Sequence, residues 1–89
     1  MSVEWHDIAL DRLADIYVAV PAADRDGIVR CVDQTNARLA LDPQFLGESR
    51  AGNRRVWFNR PLMVVYDVIP GRGVTVVHVS HVPPDPTDS

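Results

Sequence analysis

The sequence predicts an α+β domain, a helical hairpin packed on a small antiparallel sheet in the order β-α-α-β-β-β. Three observations carry this. Apolar residues recur at three- and four-residue spacing through residues 7–41. The period then switches to alternation beyond a loop containing Pro43, Gly47 and Gly52. Turn residues at Arg60-Pro61 and at Pro70-Gly71-Arg72-Gly73 divide the second half into three strands. At 89 residues the chain supports one core, so residues 1–82 are read as one domain and 83–89 as a flexible Pro/Asp tail.

Val3 and Trp5 suit a very short first strand, and Asp7 offers a carboxylate near the start of a helix. Leu10, Leu13, Ala14 and Tyr17 make one face of that helix over residues 7–19, with Asp11, Arg12 and Asp15 on the other. Pro21 ends it. A second helix is expected from Ala22 or Ala23, with Asp24 and Asp26 in its first turns where the helix dipole favours negative charge. Its buried stripe is Ile28, Val32, Thr35 and Leu39 with Cys31 alongside, and Asp42-Pro43 stops it near Leu41. Strands follow at 54–59, 62–69 and 74–82. The last two are so apolar that at least one must be central. Three prolines in Pro83-Pro84-Asp85-Pro86-Thr87-Asp88-Ser89 keep the tail from continuing a strand.

Hydrophobic residues make up 46% of the chain and charged residues 24%, a globular balance that excludes a disordered chain. The net charge of −3 conceals an asymmetry, because residues 1–44 hold eight acidic side chains against four arginines. Residues 45–82 hold Arg50, Arg54, Arg55, Arg60 and Arg72 against only Glu48 and Asp67. All nine basic residues are arginine, and the five of the second half suggest an anionic partner but fall short of the footprint of a dedicated nucleic-acid binder. One cysteine, Cys31, excludes an internal disulfide and a cysteine-based zinc site, and no signal peptide or membrane-length apolar run is readable. The expected setting is cytoplasmic, without membrane association. No phosphate loop, nucleophile elbow or metal-ligand spacing occurs, so no cofactor or metal is expected.

Glu4-Trp5-His6-Asp7-Ile8-Ala9-Leu10-Asp11-Arg12-Leu13-Ala14-Asp15-Ile16, Leu41-Asp42-Pro43 and Gly47-Glu48-Ser49-Arg50 resemble toxins of the RelE/ParE superfamily, the plasmid-stabilisation proteins. So do Leu62-Met63-Val64-Val65-Tyr66-Asp67-Val68, similar to the family's tyrosine-containing strand, and the last strand from Val74 to His81. The resemblance spans about residues 3–82. It implies a type II toxin–antitoxin module with a cognate antitoxin as partner. The target it implies is either DNA gyrase, poisoned by binding, or the ribosome and its mRNA, cleaved by an endoribonuclease.

Cleavage through a ribose 2′-hydroxyl needs a base, cations around the phosphorane and an acid for the leaving oxygen. On the family positions the catalytic candidates are Arg54, Arg50 and His81. Met63 stands where the family usually has an arginine, Val82-Pro83-Pro84 stands where nuclease members place a basic residue, and no lysine substitutes. The reading is therefore a ParE-like toxin that binds its target more than one that cleaves mRNA. The alternative is a non-toxic interaction module that keeps the fold and has lost the activity. Strand alternation puts His78 and His81 on opposite faces, His6 reads as a cap, and Tyr66 as core. The open sheet edges and surplus apolar surface imply docking along the helix pair or the exposed sheet face, with a homodimer as the substitute in the partner's absence.

Overall fold

In the computed structural model, residues 2–82 are described; the tail expected at 83–89 lies outside them. Strand β1 (Ser2–Trp5) leads directly into helix α1 (Asp7–Ala19), and a 3-10 turn (Ala22–Asp24) precedes helix α2 (Arg25–Leu41). The sheet is completed by β2 (Glu48–Ser49), β3 (Arg54–Asn59), β4 (Leu62–Ile69) and β5 (Gly73–His81). Its order is β1-β5-β4-β3-β2, with β2 to β5 an antiparallel meander and β1 joining the β5 edge in parallel. The parallel edge and the two-residue β2 are additions to the sequence reading. Four residues of β1 and two of β2 are too short to give a periodic signal.

His6 caps α1, its Nδ1 accepting the Ile8 N–H at 3.2 Å. Arg25 closes the hairpin between the helices by donating from Nε to the Tyr17 carbonyl at 3.0 Å. The core lies between one sheet face and the helices: Leu62, Val64, Tyr66 and Val68 alternate along β4, opposite Val74, Val76 and Val79 of β5, beneath Ala9, Ile16, Ile28 and Leu39. The α2 stripe is Ile28, Cys31, Thr35 and Leu39, with Val32 half-buried. On α1 Ala9 and Ile16 are buried in the core with Leu13 packed against it, and Leu10, Ala14 and Tyr17 of the expected row turn toward α2. No described helix is long and apolar enough to cross a membrane.

Three polar groups fasten the layers. Trp5 Nε1 donates to Asn36 Oδ1 at 2.8 Å, joining β1 to α2. Thr35 Oγ1 donates to the Cys31 carbonyl and accepts from Asn59 Nδ2, joining α2 to the end of β3. Tyr66, fully buried in β4, directs its hydroxyl to the carbonyls of Pro43 at 2.6 Å and Leu46 at 2.9 Å, so the loop after α2 is held beneath the sheet.

Candidate functional site

One sheet face is covered by the helices and the other is open. Cross-strand register assigns side chains to the open face: Arg54, Val56 and Phe58 from β3, Met63, Val65 and Asp67 from β4, Thr75, His78 and Ser80 from β5, and Glu4 and Glu48 at the two edges. Its centre is apolar. Val56 pairs with Val65 and Phe58 with Met63, and Phe58 is 56% exposed.

Arg54 stands opposite Asp67 and forms a two-pronged ion pair with it, Nε to Oδ1 at 2.9 Å and Nη2 to Oδ2 at 3.1 Å. Those hydrogen bonds and the carboxylate's charge raise the guanidinium pKa further above its ordinary value. The cation on this face is therefore matched by an anion. Arg50 lies beside it across a depression shared with Asn53 and Asp67, its backbone N–H bonded to the Arg54 carbonyl and its guanidinium 3.2 Å from Glu48 Oε2. Both arginines of the candidate set thus share one region, and each faces a carboxylate.

His81 is elsewhere. It pairs with buried Leu62, points toward the helical layer, and lines a depression with Arg12, Asp15, Ile16 and Ala19 of α1. The candidates Arg54 and Arg50 are brought together and His81 is separated from them by the thickness of the sheet. The histidine on the open face is His78, whose Nε2 is 2.8 Å from Ser80 Oγ. A bulge between Val65 and Tyr66 on one side and His78 and Val76 on the other puts it there. Arg55, on the covered face, donates from Nε to the Leu46 carbonyl at 2.8 Å and from Nη2 to that of Gly47 at 3.1 Å, a structural role.

Asp67 is the residue that sequence reasoning missed. A hairpin turning at Arg60-Pro61 pairs residues symmetrically about the turn, and that symmetry alone sets Arg54 against Asp67. Among the described residues no group of three or more His, Cys, Asp or Glu is placed to hold a metal.

A second surface lies on the helical side. Leu10, Leu13, Ala14, Tyr17 and Val18 of α1 and Ile28, Val29, Val32 and Asp33 of α2 line an apolar groove of about 360 Å³. Leu10 and Val18 are 47% and 66% exposed in it.

The chain is similar to the chromosomal ParDE toxin–antitoxin system of P. aeruginosa, at TM-score 0.70 and 20% identity over 93% of this chain and 97% of that one. It is also similar to the isolated RelE toxin of E. coli, at TM-score 0.62 and 12% identity over 98% of this chain and 89% of that one. The chain therefore shares the fold of these two structures. No family model matches it, and no curated protein matches it by sequence.

Proposed function

We propose that the chain is the toxin component of a type II toxin–antitoxin module, paired with a cognate antitoxin, and that it acts by binding a cellular target rather than by cleaving mRNA. The observation that carries the binding mode is the open sheet face. Its centre is Val56, Phe58, Met63 and Val65, and its Arg54 is taken up by Asp67. A phosphorane needs cations free to meet developing charge. An apolar strip with a matched ion pair beside it suits a protein surface instead. DNA gyrase is the target this ParE-like reading names. The ParDE system also has a higher TM-score to this chain than the RelE toxin has.

Controlled expression in a bacterial host without the antitoxin tests the reading. Growth arrest is expected, abolished by Phe58→Glu and retained by Arg54→Ala, with purified protein inhibiting gyrase supercoiling. Ribosome-dependent mRNA cleavage that disappears in Arg54→Ala would overturn the binding mode. Normal growth at high soluble yield would overturn toxicity itself and leave the non-toxic interaction module, a reading favoured by the net charge of −3.

A further inference from the structure

We infer that the depression between α1 and the end of β5 binds a small zwitterion, a free apolar α-amino acid whose carboxylate meets Arg12 and His81 and whose ammonium meets Asp15. It lies apart from the open sheet face and from the groove between the helices, and it does not depend on the toxin reading.

The early end of β1 creates the depression. β1 pairs with β5 only from Ser2 opposite Gly73 to Trp5 opposite Val76, and His6 then donates its N–H to the Val76 carbonyl as the chain turns into α1. β5 runs on to His81, so residues 77–81 have no strand on that side. α1 takes the place of one by packing over the sheet through Ala9 and Ile16, which leaves a hollow of about 380 Å³ between its outer flank and the strand end. The Val82 N–H bonds the Pro61 carbonyl, so Val82 faces β4. In an antiparallel ladder the preceding residue turns its groups the other way, and His81 directs its backbone N–H and C=O to the edge beyond β1.

Charge selects the ligand. Arg12 and Asp15 line the depression from α1, about one turn apart, and His81 lines it from β5. Among the described residues neither Arg12 nor Asp15 has an ion pair or a side-chain hydrogen bond. A direct contact between them at i, i+3 is a weak exposed pair, which a ligand meeting both groups replaces. A phosphate would be repelled by Asp15, a metal ion by Arg12, and a hydrocarbon would leave both charges unpaired. A molecule of no net charge that carries both signs answers both. In an α-amino acid one carbon separates the two charged groups, a spacing that side chains one helical turn apart flank. Its carboxylate suits the fork of Arg12 and the donors of His81, and its side chain lies on Ala19 and on buried Ile16 and Val20. The last residue of a polypeptide would bring the carboxylate without the ammonium, so Asp15 selects the free amino acid.

Titration of the isotope-labelled full chain with L-leucine, followed by amide NMR shifts, tests this. Saturable shifts are expected in α1 and β5 around the depression. Leucinamide, which lacks the carboxylate, and isocaproate, which lacks the ammonium, should each bind about tenfold more weakly, since each loses one charge-assisted contact. Arg12→Gln should erase the preference for leucine over leucinamide, and Asp15→Asn the preference for leucine over isocaproate. Both positions are exposed on a helix, so far-UV circular dichroism should be unchanged. No saturable shift at millimolar leucine, analogues that bind as tightly as leucine, or preferences unmoved by the two substitutions would each overturn the inference. Tighter binding of N-acetyl-leucine than of leucine would overturn it too, by assigning the site to a polypeptide C-terminus. None of these readouts uses growth arrest, so a failure here is separate from a failure of the toxin reading.

Discussion

Replacing Tyr66 with phenylalanine removes one oxygen and tests how the open face is built. The hydroxyl is wholly buried and serves the Pro43 carbonyl at 2.6 Å and the Leu46 carbonyl at 2.9 Å. The Leu46 oxygen keeps a donor in Arg55 Nε at 2.8 Å, but Tyr66 is the donor that reaches the oxygen of buried Pro43. Removing the donor strands a buried carbonyl, which costs about 1–3 kcal/mol, and that is the expected loss. The ring stays packed, so no large cavity term is added. Urea denaturation should show a lower midpoint at unchanged slope, and amide exchange should quicken in residues 43–53, which carry β2 and Arg50, more than in β4 and β5. A loss below about 0.5 kcal/mol, or exchange quickening evenly across the sheet, would refute the view that this hydroxyl fastens the loop to the core.

Gly47→Ala should cost several-fold more stability than Gly52→Ala. Both need positive φ, but a Cβ at position 47 would collide with the Val56 carbonyl oxygen while one at 52 meets open space; thermal melts of the two variants decide it. Asp67→Asn should leave stability nearly unchanged, because the pair is substantially exposed, yet raise the salt needed to elute the protein from heparin by freeing Arg54. Burial, opposed by hydrogen bonds with Thr35 and the Leu62 backbone, raises the Cys31 thiol above its ordinary 9.0. The unfolded thiol loses its proton first, so this stability is intact below about pH 9 and is lost as pH rises toward the folded value. Denaturation midpoints measured from pH 8 to 10.5 should therefore fall less steeply in Cys31→Ala than in the unmodified chain.

Much of this architecture is written in local pattern. The α2 stripe, the Arg60-Pro61 turn and the β4 alternation follow from periodicity, and the structure differs only in burying Cys31 within the stripe and leaving the expected Val32 half-buried. The α1 row from Leu10 to Tyr17 has the same period but faces a groove. Periodicity marks an apolar face without saying what covers it. The candidate site is harder to read because it depends on one inserted residue. Val74 and Val76 face the core, so strict alternation would put His78 there as well. The bulge at Val77 shifts the phase, sending His78 to the open face and Val79 and His81 to the helical side. Val76 and Val77 are both valine, so nothing in the pattern marks the slip.

The same dependence on pairing decides what the open face can do. An arginine assists phosphoryl chemistry only if its charge is available to the phosphate, and Arg54 is committed through two charge-assisted bonds to Asp67. An incoming phosphodiester would have to displace that carboxylate and then remain beside it, paired with one cation between two anions. Met63 supplies no second cation to relieve the contest, and His78 is turned to Ser80. A protein partner meets no such conflict. It can lie on Val56, Phe58, Met63 and Val65, leave the ion pair intact at the rim, and gain by excluding water from Phe58. The position that separates cleaving from binding on this sheet is therefore 67 as much as 54, and the two substitutions should act in opposite directions on nucleic-acid retention while leaving target binding alone.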